Sequence, residues 1–279
     1  MNAPAITDSG VRVLGTRIFE IDGDVAGDTA TVVLSDLHVP QDGGAVVAWL
    51  AAALAAAGQQ RRRVFVLGDL FDSYVTPAQL RVGVWRDVAG AFAAASAAGA
   101  RIAVLHGNRD FLLGAEWERA TGAAVVPGGI RTVLGGRRTL LLHGDELCQA
   151  DLPYQRAKRW LRRPLLKAIA RRLPLSAALW VAARARRRSA MVIARGDPTR
   201  FLPTRKALDA ALAAGVERVV FGHIHRLARG NIAQGEYLVL PAFDRAGVLW
   251  CADGDGERFL GGGGTEAHGV DAPPLPLGR

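Results

Sequence analysis

Seven side chains that commonly bind metal ions follow short apolar segments of this 279-residue chain. Four are imidazoles, two are carboxylates and one is an amide. They are Asp36, His38, Asp69, Asn108, His143, His223 and His225. Groups of these types suit Mn²⁺, Fe²⁺, Zn²⁺ or Mg²⁺. The sequence therefore predicts an enzyme built around metal ions.

The segments that precede these side chains predict the elements that position them. TVVLS, RVFVLG, RIAVLHG and ERVVFG are β-branched and apolar, as buried strands are. Alanine-rich helical segments at 45–57 and 88–100 alternate with them, which indicates βαβ units. Because the loops that leave the carboxyl ends of neighbouring strands converge in an α/β sheet, distant residues can meet in one crevice.

Two pairs of ligands are separated by one residue. An extended backbone would point both side chains of Asp36-x-His38 to the same side, and His223-x-His225 repeats that spacing. The remaining two histidines have no such neighbours. His106 ends a strand and His268 lies in a glycine-rich segment, so we expect structural roles for both.

The ligand types also predict a class of reaction. A carboxylate can bridge two ions about 3.5–4 Å apart, and such a pair lowers the pKa of water and neutralises charge on a phosphoryl group. Asp69 is the natural bridge. The expected reaction is hydrolysis of a phosphoester or a phosphoanhydride.

The order of the motifs Asp-x-His, Gly-Asp-x-x-Asp, Gly-Asn-Arg-Asp, His-Gly-Asp and Gly-His-x-His resembles the calcineurin-like metallophosphoesterases, over roughly Thr31 to Val248. The resemblance implies an α/β protein with a four-layer α/β/β/α sandwich. It also implies two ion sites that share one residue. One site would hold Asp36, His38, Asp69 and His225, and the other Asp69, Asn108, His143 and His223.

Arg109 narrows the chemistry. Most members of the family that this chain resembles have a histidine after the Gly-Asn pair, where it can protonate an alkoxide leaving group. Arginine does not donate a proton at ordinary pH, but it can hold a phosphate bidentately. Arg109 therefore favours a leaving group that departs as a phosphate anion, as a pyrophosphate bond provides.

Longer strings resemble the UDP-2,3-diacylglucosamine diphosphatases of lipid A biosynthesis. They are GDLFD at 68–72, HGNRDFLLG at 106–114 and HGDELCQAD at 143–151. The resemblance implies hydrolysis to UMP and 2,3-diacylglucosamine 1-phosphate with two divalent ions, expected to be Mn²⁺. It implies catalytic roles for Asp69, Asn108 and Arg109. The substrate-binding residues that it implies are Asn108, Arg109, Asp151, Tyr154, Arg186, Ser189 and His223.

Two departures from that pattern leave alternatives open. Members of the group carry Trp-x-Gly-Asp-Asp where this chain has Ser73–Thr76, and the segment after Ser189 reads MVIARGDPTR in place of an Asn/Ser/Lys-rich one. The substrate could be another nucleotide diphosphate or a phospholipid-like ester. Asp151 could be a helix N-cap, Tyr154 a core residue, and Arg186 and Ser189 a solvated face. A protein-binding scaffold that has lost its metal ligands is a further alternative, against which the complete ligand set argues.

The chain is expected to form one catalytic domain with an insertion. We expect a lead-in segment at 1–28, a phosphoesterase domain at 29–256 with a helical lid at 150–206, and a disordered tail at 257–279. GIRTVLGGRRTLLLHG predicts a hairpin that turns at Gly135 and Gly136. The oligomeric state is not predicted.

The predicted lid carries most of the positive charge. Between Arg156 and Lys206 there are 16 Lys and Arg residues against one acid, so this segment carries a charge of +15. The net charge of the whole chain is +9, so the remaining residues together carry −6. Large apolar residues alternate with the cations, as in amphipathic helices at an anionic membrane surface. No apolar segment is long enough to cross a bilayer. We expect a cytoplasmic protein that binds the cytoplasmic face of the inner membrane. The alternatives for the basic segment are binding to nucleic acid, or a solvated face without a partner.

Overall fold

Two β-sheets form the centre of the computed structural model, which describes residues 4–21, 30–261 and 272–278. The six-stranded sheet has the order β13-β12-β3-β4-β5-β6, and β3 to β6 run parallel. Its strands are β3 (Thr31–Leu34), β4 (Arg63–Val66), β5 (Arg101–Leu105), β6 (Ala124–Val126), β12 (Leu249–Asp253) and β13 (Gly256–Leu260). The parallel strands place the loops that follow them at one edge of the sheet.

The second sheet has seven strands in the order β1-β2-β7-β8-β9-β11-β10. They are β1 (Ile6–Val13), β2 (Thr16–Ile21), β7 (Gly129–Leu134), β8 (Arg137–Leu142), β9 (Arg218–Phe221), β10 (Ala228–Ile232) and β11 (Gly235–Val239). The predicted hairpin between β7 and β8 is confirmed. Gly135 and Gly136 turn it with φ of 53° and 72°, which L side chains rarely adopt.

Helices cover the outer face of each sheet. The first sheet packs against α1 (Ala45–Gln59), α2 (Gly83–Ala98) and α3 (Ala115–Thr121), and a 3₁₀ helix spans Pro77–Arg81. The second packs against α7 (Arg205–Leu212). A short helix, α8 (Phe243–Ala246), joins β11 to β12.

Alternation along the strands divides the core into three apolar layers. In β4, Val64 and Val66 face the helices, whereas Phe65 faces the other sheet. In β8, Leu141 meets Phe65 in the layer between the sheets while its neighbours on the strand pack against α7. Side chains of successive strand residues point to opposite faces, so each strand fills two layers. The predicted four-layer α/β/β/α architecture is confirmed.

A helical segment separates β8 from β9. It contains α4 (Leu152–Leu161), α5 (Pro164–Arg172), α6 (Leu175–Arg195) and a 3₁₀ helix at Pro198–Phe201. We call residues 152–201 the helical insertion. Its helices lie within the predicted 150–206, although α7, which begins at Arg205, belongs to the core. None of the described helices is long and apolar enough to span a membrane.

The amino-terminal lead-in is a β-hairpin and part of the sheet. β1 pairs with β2, and β2 runs parallel to β7 with Phe19 opposite Ile130. Leu14 and Gly15 form the turn with φ of 51° and 82°. The alternation in VRVLGTRIFEI favours a hairpin, and the expectation of a mere lead-in understated it. Residues 22–28 lie outside the described part.

The expectation of disorder from residue 257 onward is wrong for the described part of that segment. β13 continues to Leu260 and pairs with β12. Farther on, Leu275 is buried beside α7, and its N–H donates to Tyr237 Oη at 3.0 Å. Proline and leucine in PPLPLG suit an extended segment that packs on a surface. Residues 262–271, with His268, lie outside the described residues.

Candidate metal centre

The seven predicted ligands lie in five loops that leave the carboxyl ends of β3, β4, β5, β8 and β9. The structure brings these loops together as predicted. The local backbone, however, is not extended. Of the seven non-glycine residues described with positive φ, five are predicted ligands: Asp36, His38, Asp69, His223 and His225. Such strain persists where the surroundings impose it, and it is concentrated at functional sites.

One group of ligand atoms joins the loops after β3 and β9. His38 Nε2 lies 3.0 Å from His225 Nε2, and His225 Nε2 lies 3.4 Å from Asp36 Oδ1. The ligand atoms of all three residues lie within 4.8 Å of one another. Three converging donors of this kind can hold one divalent ion.

A second group lies around Asp69. His143 Nε2 is 3.8 Å from Asp69 Oδ1 and 3.0 Å from Asn108 Oδ1. Asp36, Asp69 and His143 have ligand atoms within 4.8 Å of one another. Asp69 also approaches the first group, since its Oδ2 is 3.8 Å from His38 Nδ1. Both carboxylates thus lie between the two groups.

His223 lies against both groups through different atoms. Its ring packs edge-on against His143 with the centroids 5.1 Å apart, and its main-chain N–H donates to Asp36 Oδ2 at 2.8 Å. That hydrogen bond fixes one oxygen of Asp36. The other oxygen, Oδ1, is buried without a hydrogen-bond donor among the described residues.

The arrangement of lone pairs fits metal ions. His143 Nδ1 lies 2.8 Å from the carbonyl oxygen of Leu67, which makes Nδ1 the protonated nitrogen and turns the lone pair of Nε2 toward Asp69 and Asn108. With its amide turned over, Asn108 would donate to His143 Nε2 at 3.0 Å and to Asp69 Oδ2 at 2.8 Å. The unsatisfied acceptors among the described residues are therefore those around Asp36 Oδ1, His38 and His225. Acceptors that face one another in a buried site repel unless a cation lies between them. The residues present therefore fit a metal centre.

Burial and charge set the protonation of these groups. Burial, with Arg109 nearby, lowers the pKa of His38 to about 3, and burial together with His143 lowers that of His223 to about 4. Both are therefore neutral imidazoles near pH 7, the form that binds metal. Burial opposes protonation of His143, but the carboxylates of Asp69 and others outweigh it and raise its pKa to about 9. A divalent cation would replace that proton.

Two glycines in the motifs allow the loops to approach closely. A Cβ on Gly107 would overlap the carboxylate of Asp69, and one on Gly222 would overlap Ser35 and Asp36. Neither glycine has positive φ, so the requirement is space and not conformation. This explains why glycine precedes Asn108 and His223.

Arg109 lies at the mouth of the site. Its guanidinium Nε is 3.5 Å from Asp69 Oδ2, and its Nη1 is 2.6 Å from Asp72 Oδ1. Arg109 and Asp72 line a cleft of about 530 Å³, together with His38, His225 and Asp244. The predicted phosphate-binding arginine and two of the predicted ligands, His38 and His225, therefore share one open space.

Asp110 is a buried carboxylate beside the ligands that ligand chemistry alone did not identify. Its Oδ1 accepts from Gly107 N at 2.8 Å and its Oδ2 from Leu70 N at 2.7 Å. It is fully buried and ties together the loops after β4 and β5. The Asp of Gly-Asn-Arg-Asp was the available signal.

The other predicted substrate-binding residues have different surroundings. Asp151 caps α4 by accepting from Tyr154 N at 3.4 Å, and it pairs with Arg200 at 2.7 Å. Tyr154 donates to the carboxylate of Asp145, beside His143. Arg186 contacts Asp72 in the cleft. Ser189 is exposed farther along α6, and the structure gives it no contact with the ligands.

The departure at Ser73–Thr76 is built into the core. Tyr74 is buried and stacks on Phe71 with ring centroids 5.9 Å apart. Thr76 caps the 3₁₀ helix at Pro77–Arg81 and forms a capping box with Gln79. This segment packs behind the loop after β4, so its changed sequence leaves the ligand set intact.

Comparison with known proteins agrees with this geometry. The family model described as "Calcineurin-like phosphoesterase" matches residues 30–227. A UDP-2,3-diacylglucosamine hydrolase of Azotobacter vinelandii is 31% identical over 231 residues, which cover 81% of this chain and 95% of that protein. One from Edwardsiella ictaluri is 36% identical over 203 residues, with 71% and 77% covered. The chain therefore belongs to the calcineurin-like phosphoesterase family and is a metallophosphoesterase.

Proposed function

We propose that this protein hydrolyses the pyrophosphate bond of UDP-2,3-diacylglucosamine, a step of lipid A biosynthesis. Water adds to the α-phosphorus and the bond to the bridging oxygen breaks, so the products are UMP and 2,3-diacylglucosamine 1-phosphate. The observation that carries the proposal is Arg109 in one cleft with His38 and His225, beside two groups of converging ligand atoms. The names of the similar hydrolases supply the substrate.

We propose two divalent ions, Mn²⁺ in the first place. Asp36, His38 and His225 would hold one, Asn108, His143 and His223 the other, and Asp69 would bridge them. Ions bound there supply charge neutralisation at phosphorus and lower the pKa of water. The two groups of converging ligand atoms support the assignment, and Asp36 lies close enough to both groups to take part in either.

Arg109 would stabilise the charge of the leaving group, so that no proton donor is needed at this position. The leaving group is a phosphate monoester anion, which needs charge stabilisation more than protonation. A guanidinium can form two parallel hydrogen bonds to phosphate oxygens. Asn108, beside it, would position the same phosphates through its amide.

The binding of the sugar and lipid parts is assigned to the helical insertion. Arg186 contacts Asp72, which lines the cleft, and could contact an anionic group of the substrate. Asp151 and Tyr154 are engaged within the protein, so they would act by holding α4 against the loop of His143 or by exchanging partners on binding. Ser189 would contact substrate only if α6 lies along the bound lipid.

The same insertion is proposed to bind an anionic membrane surface from the cytoplasmic side. Nine of the ten large apolar side chains that are exposed in the described residues lie between Leu152 and Val192. Lys and Arg residues surround them, with charge +15 from Arg156 to Lys206. Apolar side chains enter the interface while cations contact anionic headgroups, and each contributes separately.

Hydrolysis in ¹⁸O-water is the decisive experiment. The Mn²⁺-loaded protein is incubated with UDP-2,3-diacylglucosamine, and the products are analysed by mass spectrometry. We expect one ¹⁸O atom in UMP and none in the sugar phosphate, since water adds to the α-phosphorus. Label in 2,3-diacylglucosamine 1-phosphate would overturn the proposed site of attack.

The alternative substrate class is tested in the same assay. If the protein cleaves bis(4-nitrophenyl) phosphate but leaves UDP-2,3-diacylglucosamine intact, the metal centre is active and the lipid substrate is wrong. Other nucleotide diphosphates and phospholipid-like esters would then be assayed. Less than one ion per chain after reconstitution with Mn²⁺ would favour a scaffold.

Sedimentation separates the partners of the basic surface. The protein is mixed with vesicles of phosphatidylglycerol and phosphatidylethanolamine, and separately with duplex DNA, at 0.15 M salt, where the Debye length is about 8 Å. We expect binding to the vesicles. Binding to DNA and not to vesicles would contradict the membrane proposal, and binding to neither would leave a solvated face.

A further inference from the structure

Asp72 connects the core to the longest helix of the helical insertion. Its Oδ1 accepts from Arg109 Nη1 at 2.6 Å, and its Oδ2 accepts from Arg186 Nη1 of α6. Arg186 Nη1 also donates to the main-chain carbonyl oxygen of Asp72 at 3.2 Å. One carboxylate thus joins residues that are 37 positions and 114 positions away in the chain.

We propose that Asp72 is a positioning residue that couples α6 to Arg109. It orients the guanidinium of Arg109 beside the metal centre and fastens α6 at the cleft through Arg186. The state of the helical insertion therefore sets the orientation of the phosphate-binding arginine. The coupling itself rests on contacts in the chain, whereas its effect on lipid turnover rests on the proposed function.

The main chain of Arg109 is fixed independently of Asp72. Arg109 N donates to Asp69 Oδ1 at 3.0 Å, and Arg109 O accepts from Tyr74 N at 3.1 Å. Only the guanidinium depends on side-chain partners, and it lies between the carboxylates of Asp69 and Asp72. Without Asp72 the backbone would stay in place while the guanidinium lost one of two anchors.

The charge balance makes this contact suitable for exchange with substrate. Two guanidinium groups share the single charge of Asp72, and all three side chains are about one-third exposed, at 33%, 32% and 31%. A phosphate that enters the cleft offers both arginines a second anion. The arginines are then already close together, so fewer rearrangements are needed on binding.

The coupling is tested first without catalysis. Backbone hydrogen exchange of α6 is measured in Asp72→Asn, Arg186→Met and the double variant. Arg187→Met is the matched control because Arg187 is exposed on the same helix and makes no hydrogen bond or ion pair in the described part of the chain. We expect exchange in α6 to rise by about tenfold in the first three variants and to stay unchanged in the control.

Kinetics then test the effect on Arg109 with two substrates. Asp72→Asn should lower kcat/KM about tenfold on bis(4-nitrophenyl) phosphate and on UDP-2,3-diacylglucosamine. Arg186→Met should lose about tenfold on the diacylated substrate, mostly through KM, and less than about threefold on the small diester. In hydrogen exchange of α6 the double variant should match Asp72→Asn, since both changes break one contact, and Asp72→Glu should restore part of the kinetic loss.

Several outcomes would overturn the coupling. They are unchanged exchange in α6 for Asp72→Asn, faster exchange in α6 for the double variant than for Asp72→Asn, or equal losses in Arg187→Met. If Asp72→Asn fails to fold, Arg186→Met and Arg186→Lys test the same contact from α6. If wild type cleaves the small diester but not the lipid, the proposed function fails while hydrogen exchange still decides the role of Asp72.

Discussion

At the scale of single residues, hydrogen bonds hold the ligands of the metal centre in positions where their lone pairs repel one another. Lone pairs of Asp36, His38 and His225 converge, and the backbone of all three residues has positive φ. Hydrogen bonds from neighbouring loops, such as His223 N to Asp36 Oδ2, fix the positions of these groups. The fold thus imposes an arrangement that is unfavourable until a cation binds.

The first prediction follows from this mutual repulsion of ligands. Addition of Mn²⁺ to chelator-treated protein should raise the free energy of unfolding by about 2.7 kcal/mol when the free ion is a hundredfold above its Kd. Calorimetry measures the shift in Tm. His225→Ala, which removes a side chain that is 28% exposed, should reduce the shift without unfolding the metal-free protein. No shift with Mn²⁺, Zn²⁺ or Mg²⁺ would exclude a metal centre.

The second prediction concerns Asp69. Its Oδ1 accepts from the main-chain N–H groups of Asn108 and Arg109 at 2.9 and 3.0 Å, so the carboxylate both faces the ligands and shapes their loop. Asp69→Asn keeps an acceptor for those groups and removes the charge. We expect kcat to fall more than about a hundredfold, or about 3 kcal/mol, with circular dichroism unchanged.

The control for Asp69→Asn is Asp87→Asn on α2, which is exposed, pairs with its neighbour Arg86 at 2.9 Å and is not among the residues that line the cleft of Arg109. It should retain wild-type kcat. Retention of more than about a tenth of kcat in Asp69→Asn would contradict a bridging role, because loss of charge neutralisation should cost several kcal/mol.

The identity of the ligands could be predicted from sequence because hard and borderline ligands recur after apolar strands. The conformation that brings them together could not. Period-two spacing predicts an extended Asp36-x-His38, whereas both residues have positive φ, of 56° and 42°. Long-range hydrogen bonds impose that conformation, and no local pattern of residues encodes them. The contact of Asp72 with Arg186, 114 positions away, was hidden for the same reason.

At the scale of elements, the helical insertion differs from the rest of the molecule in how little of it is buried. In α4 and α5 no residue is fully buried, while α1 and α2 bury one face each. A few polar contacts anchor it: Lys158 pairs with Asp145 at 2.9 Å, and Arg162 donates to Gly107 O at 3.0 Å. Few apolar contacts mean that it can open at low free-energy cost.

The third prediction tests the apolar surface of α5. Leu165 and Ile169 are 73% and 50% exposed and lie one helical turn apart. The double change Leu165→Glu and Ile169→Glu should weaken binding to anionic vesicles at least tenfold, since each apolar side chain contributes about 1.5–3 kcal/mol when it leaves water. Vesicle sedimentation measures the effect, with turnover of the small diester preserved.

Val82→Glu is the matched control for that experiment. Val82 is 40% exposed and is the one large apolar residue exposed outside the insertion in the described residues. Its change adds one negative charge, against two in the double variant, at another surface and should leave vesicle binding within about threefold of wild type. Equal weakening in both proteins would mean that net charge, and not the apolar surface of α5, drives the association.

Prediction at this scale was uneven for physical reasons. The buried strands and alanine-rich helices have strong periodicity, so the layers of the core could be inferred. The hairpin of β1 and β2 lies at the edge of its sheet, and only some of its residues are buried, so its apolar signal is weak. Its turn at Leu14–Gly15 carried the clearer information.

At the scale of the whole molecule, the carboxyl-terminal segment links parts of the fold that the chain visits far apart. Arg229 N donates to Pro273 O at 3.3 Å at the edge strand β10, and Gly278 N donates to Pro203 O at 2.9 Å where the insertion returns to the core. Between these contacts Leu275 is buried to 5% exposure. The segment holds the seven-stranded sheet and the end of the insertion together.

The last prediction measures that contribution. Leu275→Ala should lower the free energy of unfolding by about 2 kcal/mol or more, because it removes buried methyl groups next to α7 and leaves a cavity. Urea unfolding gives the change as a lower midpoint at constant slope. Leu165→Ala, at a residue that is 73% exposed, should change stability by less than about 0.5 kcal/mol. Equal midpoints for the two variants would show that the segment lies on the surface without stabilising the fold. A loss confined to Leu275→Ala, with the metal-dependent shift in Tm retained, would show that the segment supports the whole sandwich and not the metal centre alone.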